Sequence, residues 1–311
     1  MLRFDVHQHL WSAPLVTALE RRAEAPRIRR EGLRWRLDLP GEPSCGIDVD
    51  GDDPDRRAGL VCVDGLDRAL IAPSPALGAA RDVLDAYHAG CAELPQTFGA
   101  WGALDHRTAV PGDVDALLGA GFAGVCLPSN ALASPAALDR VGPLLERLER
   151  RGAPLFVHPG GGSNAPGAPA WFTALTDYVT GMHTAWHAFA AAGRAAHPRL
   201  RVLWAMLAGG APLHAERLAA RGGPASAVLD HDSFYDSSSY GFELIEATAR
   251  VVGLNQVVHG SDRPVVAPVT APLGPEAWHA MTVRAPAALL GTRAAVTMAA
   301  PIAATSSSLA T

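Results

Sequence analysis

The chain contains no lysine: its 26 basic residues are all arginine. A coding bias toward arginine and alanine accounts for this, but the chemical consequence holds whatever the cause. No Schiff base can form on a lysine, no lysine can act as a base, and no carbamylated lysine can bridge two metal ions. Cysteine is scarce as well. Cys45, Cys62, Cys91 and Cys126 include no C-x-x-C pair, so nothing suggests a disulfide framework, and the cytoplasm is the simpler location. The first seven residues lack an apolar signal core, and no apolar run is long enough to span a bilayer. There is no basic block and the formal net charge is -5, which leaves nucleic acid without support as a partner.

At 311 residues, 49% hydrophobic and 18% charged, the chain can bury a sizeable core as one large barrel or as two ordinary domains. Short β-rich runs recur at 4–11, 66–74, 98–104, 122–128, 154–159, 200–207, 233–239 and 256–261. Helix-like segments rich in Ala, Leu and Arg fall between them, among them 135–151, 171–192, 211–221 and 241–252. Strands alternating with helices imply parallel βαβ units, and eight in about 290 residues match the α/β class in its (β/α)8 TIM-barrel form. A doubly wound open sheet is the alternative, disfavoured because no glycine-rich phosphate loop follows the first strand. Residues 21–55 are too long for a simple βα loop and read as an insertion over the barrel mouth after strand 1, within which 32–39 alternate like a short hairpin. The barrel unit is 1–293, and the Ala/Ser/Thr-rich stretch 294–311 reads as a disordered tail.

Three strings carry chemistry. In Asp5-Val6-His7-Gln8-His9-Leu10-Trp11, residues two apart on a strand face one side with alpha carbons roughly 6.6 Å apart. Two imidazoles so placed can converge on one ion, at about 2.0–2.1 Å per Zn–N bond. The bland reading is a pair of surface histidines near a terminus. Leu155-Phe156-Val157-His158-Pro159 ends an apolar strand in a histidine at the face where barrel active sites lie. Val258-His259-Gly260-Ser261-Asp262-Arg263-Pro264 puts Asp262 at the end of the eighth strand. A carboxylate there can be ligand and proton carrier together, or only a turn residue.

Together these strings resemble the amidohydrolase superfamily, in its branch of aminocarboxymuconate-semialdehyde-type decarboxylases and related lactonases. The resemblance covers nearly all of 3–291. It implies one divalent metal ion held by His7, His9, His158 and Asp262, with Asp262 as the catalytic proton carrier. Three imidazoles and a carboxylate suit zinc best, with manganese, iron and cobalt as alternatives. The sequence departs from that branch in one place: the sixth strand should end in a histidine before Gly-Gly, and here Met206 or a neighbour stands there (Trp204-Ala205-Met206-Leu207-Ala208-Gly209-Gly210). A thioether neither polarises a substrate nor shuttles a proton.

His183 and His187 share a helical face, and His183 is a candidate to reach the substrate in place of the missing histidine. His259, three residues before Asp262, points away from it by strand parity and is read as packing. His214 is read as superficial. Arg263 either grips a substrate carboxylate or braces the strand 8 loop by a salt bridge. Trp11 either walls the pocket or packs the barrel. The first expectation is a metal-dependent hydrolase in which metal-activated water attacks an amide, lactone or similar carbonyl of a small substrate, acidic if Arg263 grips a carboxylate. The alternative is a nonoxidative decarboxylase of an aromatic or unsaturated acid, against which the missing histidine counts. A third reading is a noncatalytic barrel. A homodimer is expected by analogy only.

Overall fold

The computed structural model of the chain describes residues 1–162, 168–169, 171–266 and 273–295. Most of the tail expected at 294–311, and residues 163–167 and 170 of the loop after His158, lie outside them. Strand β1 (Phe4–Gln8) is buried at every position. That is the pattern of a strand enclosed between a packed interior and a layer of helices. An antiparallel trio follows: β2 (Arg27–Glu31), β3 (Arg34–Asp38) and β4 (Cys45–Ile47). The barrel resumes with β5 (Arg68–Ile71), β6 (Phe98–Ala100), β7 (Gly102–Ala103), β8 (Val125–Pro128) and β9 (Leu155–His158). It ends with β10 (Val202–Trp204), β11 (Ser233–Asp236) and β12 (Val257–Val258). Each of the eight expected runs therefore contains strand.

All neighbouring pairs in the barrel are parallel, in the order β12-β11-β10-β9-β8-β7 and β1-β5-β6. β6 and β7 flank the single residue Trp101, whose N–H still bonds the Ile71 carbonyl at 2.9 Å. On the other side Val6 N donates to His259 O (2.9 Å), Asp262 N to His7 O (2.9 Å) and His9 N to Arg263 O (2.6 Å). Those bonds join the segment after β12 to β1 and close the ring, giving a (β/α)8 barrel.

Helix α5 (Pro135–Arg150) shows how the outer layer forms. Ser134 caps it, its side chain accepting from Ala137 N, and Pro135 stands in the first turn, where a missing N–H costs nothing. Ala137, Leu138, Val141, Leu144, Leu145 and Leu148 recur at helical spacing and are buried, each leucine contributing about 1.5–3 kcal/mol. Arg147 and Arg150 complement the helix dipole in the last turn. The expected helix over 171–192 is broken instead. α6 (Trp171–Leu175) and α7 (Asp177–Ala188) are followed by a π-helical turn, Phe189–Gly193. A β-carbon on Gly193 would lie 2.3 Å from Phe189 Cδ2, so only glycine fits there.

The insertion is larger than the expected hairpin. Residues 32–39 supply a turn and one strand, while the flanking strands are Arg27–Glu31 and Cys45–Ile47. The arginine-rich β2 hides its strand character, because Asp38 across the pair takes Arg27 Nε (2.9 Å) and Arg29 Nε (3.0 Å). Burial raises the Asp38 pKa, but bonds from Ser44, Arg27 and Arg29 outweigh it and bring it to about 2. Among the described residues no helix is long and apolar enough to cross a membrane.

Candidate metal centre

Three imidazoles meet at the C-terminal mouth, and each is anchored by the nitrogen that faces away from the meeting point. His7 Nδ1–H donates to Asp236 Oδ2 at 2.7 Å, on β11. His9 Nδ1–H donates to the Ala72 carbonyl at 3.0 Å, just beyond β5. His158 Nδ1–H donates to the Pro159 carbonyl at 3.0 Å. Such bonds fix ring orientation and tautomer and leave Nε2 as the ligating atom. One nitrogen from each ring lies within 4.8 Å of the other two. His7 Nε2 and His9 Nε2 are 3.2 Å apart.

Asp262 closes the group. Its Oδ1 is 3.3 Å from His9 Nε2 and 3.7 Å from His7 Nε2. Bonds of about 2.0–2.1 Å arranged tetrahedrally place neighbouring ligand atoms roughly 3.3–3.4 Å apart, so the donor set fits a small divalent ion. Asp262 Oδ2 accepts from Ser239 Oγ at 2.9 Å. Both residues lie in the left-handed region, with φ 57° at Asp262 and 64° at Ser239. Strained backbone of this kind, about 1–3 kcal/mol per residue, concentrates at functional sites. Gly260 is required by crowding: a β-carbon there would lie 2.9 Å from His7 Cβ and 3.0 Å from Asp236 Cγ.

The charges are arranged around a cation. Burial lowers the His7 pKa, but the charge and hydrogen bond of Asp236, aided by Asp262 and Asp5, raise it to about 9. His7 then carries a proton on Nε2, which lies 3.2 Å from His9 Nε2. Burial raises the Asp262 pKa, yet the bond from His9 and the charges of His7, His9 and His158 bring it well below the usual carboxylate range. Burial and the charges of His7 and His9 push His158 well below an ordinary histidine. Phe156 packs beneath, its ring 5.0 Å from His7 and 5.1 Å from Trp101.

A second network holds the chain around the site. The pairing register of β1 shifts between Asp5 and Gln8. There Asp5 Oδ1 accepts from His7 N (3.1 Å) and Ser261 N (3.0 Å), tying β1 to the loop that carries Asp262. Asp5 Oδ2 accepts from Gln8 Nε2 (2.7 Å), and Gln8 Oε1 from Arg57 Nη2 (2.6 Å). Arg57, on helix α2 (Pro54–Val63), also pairs with buried Asp52, whose other oxygen accepts from Trp11 N at 2.7 Å. The insertion is thereby clamped to the strand that bears the histidines.

Sequence reasoning named His7, His9, His158 and Asp262, and the structure brings them together. Trp11 is half-buried and packs against the hydrophobic core. Arg263 pairs with Asp64 at 2.7 Å, so the bracing reading of this residue is the one present in the fold. His183 directs Nε2–H to the Gly209 carbonyl at 2.7 Å. His259 packs on Trp278, ring centroids 4.6 Å apart. Met206 or a neighbour takes the place where the resemblance implies a histidine, and the Met206 backbone N–H lies 3.3 Å from Asp236 Oδ1. The polar end of strand 7, Asp236-Ser237-Ser238-Ser239, reads in the sequence as pocket lining but gives neither Asp236 nor Ser239 a role, and Arg57 and Asp52 were missed.

No protein-family model matches the chain, and no curated protein matches it in sequence. Solved structures match its fold. The IDCase of Metarhizium anisopliae is 19% identical, covering 94% of this chain and 96% of its own, with a TM-score of 0.70. A structure described as an amidohydrolase II is 17% identical over 93% of this chain and 99% of its own, at 0.69. A 5-carboxyvanillate decarboxylase of Novosphingobium aromaticivorans, complexed with manganese and 4-hydroxy-3-methoxy-5-nitrobenzoic acid, is 15% identical over 94% of this chain and 93% of its own, at 0.63. The chain thus has the barrel fold of amidohydrolase-type proteins, as the resemblance in its sequence implied.

Proposed function

We propose that the chain is a metal-dependent enzyme that removes carbon dioxide nonoxidatively from an aromatic or unsaturated carboxylic acid. One divalent ion would be held by Nε2 of His7, His9 and His158 and by Asp262 Oδ1. The convergence of three anchored imidazoles on one carboxylate carries this reading. When bound, the ion supplies Lewis acidity toward an oxygen of the substrate. The donor set favours zinc, while manganese accompanies the barrel of the decarboxylase from Novosphingobium aromaticivorans.

Local charge favours decarboxylation over the hydrolysis first expected. The arginines nearest the cluster, Arg57 and Arg263, are paired with Asp52 and Asp64, so a substrate carboxylate has the ion itself as its counter-charge. Asp262 is ionised at neutral pH. In the proposed step it accepts a proton from solvent at Oδ2, the oxygen that Ser239 holds, so each turnover consumes one proton. It then gives the proton to the carbon that keeps the electron pair when the carbon–carbon bond breaks and carbon dioxide leaves. Phe156 and Trp101 form a dry floor beneath the reacting atoms. Hydrolysis of an amide or lactone is the second reading. It is favoured by Met206, because water attack needs no proton shuttle from the end of β10. All four cysteines are free, which supports the cytoplasm.

The test supplies zinc or manganese and offers aromatic acids, unsaturated acids, lactones and cyclic amides to the wild type and to Asp262→Asn. Carbon dioxide release that falls by at least about a thousandfold in the variant supports the proposal. Ring opening without carbon dioxide puts the hydrolase in its place. A metal-loaded chain that does neither is a noncatalytic barrel.

A further inference from the structure

The end of β10 takes an unusual path. Met206, Leu207, Ala208, Gly209 and Gly210 all have positive φ, at 45°, 51°, 55°, 62° and 79°. Three of these are not glycine, and L residues adopt that conformation only where their surroundings impose it. Two contacts impose it here. At its start the Met206 N–H points at Asp236 Oδ1 and Ser238 Oγ, each 3.3 Å away. Near its end the Gly209 carbonyl accepts from His183 Nε2–H at 2.7 Å. Helix α7 presses directly on this point, since a β-carbon on Gly209 would lie 3.0 Å from Val179 O and 3.2 Å from His183 Cδ2.

Asp236 is shared. Its Oδ1 takes the N–H groups of Met206 and Ser238, and its Oδ2 takes His7 Nδ1–H at 2.7 Å. The carboxylate plane that orients His7 is therefore set in part by where Met206 N lies. That position depends on the left-handed turn, and the turn is held at its far end by His183.

We propose that His183 is a positioning residue for the metal centre: by holding Gly209 it keeps the left-handed turn in place, and through Met206 N and Asp236 it fixes the imidazole of His7. This rests on the metal reading above. His183 is not among the clustered ligand histidines, and its Nε2 is taken by the Gly209 carbonyl. In a chain without a histidine at the end of β10, the backbone of that strand end supports the centre from behind.

The experiment measures the dissociation constant for zinc and manganese, by competition with a chelator, in four proteins: wild type, His183→Ala, Asp236→Asn and the double variant. Metal-free thermal midpoints are recorded alongside. His183→Ala should weaken binding by about tenfold to a hundredfold, the usual effect of losing a supporting hydrogen bond behind a metal ligand. The double variant should bind no worse than Asp236→Asn alone, because His183 acts through that carboxylate. His183→Gln, whose amide N–H can reach the same carbonyl, should recover most of the affinity even if its midpoint stays low. Unchanged affinity in His183→Ala overturns the proposal, as do additive losses in the double variant or failure of rescue by Gln. A wild type that binds neither ion removes the metal reading together with this one, whereas a wild type and His183→Ala that bind equally well remove this one alone.

Discussion

Among the described residues two trios of histidines gather their rings, and one of them has the geometry to hold an ion. His7, His9 and His158 come from different strand ends, each bonds its outward nitrogen to a fixed acceptor, and the remaining nitrogens converge. His183, His187 and His214 are almost as close, with the His183 ring 6.0 Å from His187 and 5.2 Å from His214. There His183 Nε2 bonds Gly209 O, and His187 Nδ1 bonds the His183 carbonyl. His214 is exposed. One nitrogen each of His183 and His187 is taken by a carbonyl, and among the described residues this trio does not bring one nitrogen per ring within 4.8 Å of the others. Proximity of rings is thus a poor guide to a metal site, and the number of anchored rings with a free lone pair aimed at one place is a better one.

The largest contrast should appear on truncation. His158→Ala should weaken metal binding by more than about a hundredfold, beyond what loss of a supporting bond costs. His187→Ala should leave affinity within about twofold. Chelator competition measures both, and equal losses would erase the distinction between the clusters.

Next in size is a pH effect confined to the first cluster. His7 is held to about 9 in the metal-free chain, and an ion must displace its Nε2 proton. Below that pH one proton leaves per ion, so apparent affinity should fall about tenfold for each unit of acidification and level off above it. Proton release can be read by calorimetry in buffers of different ionisation enthalpy. No release at pH 7.5 would contradict the pairing of His7 with Asp236.

The smallest effect lies in the turn between the clusters. A β-carbon on Gly209 meets Val179 O and His183 Cδ2, whereas on Gly210 it meets only Leu213 Cδ1, at 3.8 Å. Both glycines have positive φ, so either alanine costs about 1–2 kcal/mol. Gly209→Ala should cost about 1–2 kcal/mol more through overpacking, measured as denaturant unfolding of the metal-free chain.

The barrel was legible because its strands are short apolar runs bounded by turn residues and separated by amphipathic helices such as α5. The four proposed ligands were legible because H-x-H, F-V-H-P and H-G-S-D place them at strand ends, where a barrel gathers them. What supports those ligands was not. Asp236 meets His7 across 229 residues of chain, and Arg57 reaches Gln8 from helix α2, just past the insertion, so no local spacing announces either. The run A-M-L-A-G-G has the composition of a helix, and only its two glycines hint at a left-handed path imposed by α7 and β11. β2 was missed because its arginines are satisfied by Asp38 across the sheet and by Asp50, which takes Arg30.

The central claim is that four side chains of this chain hold one divalent ion. Elemental analysis after dialysis, on the wild type and on His7→Ala/His9→Ala supplied with zinc or manganese, tests it most directly. The account predicts about one ion per wild-type chain and none in the variant. A wild type that retains neither ion would contradict it.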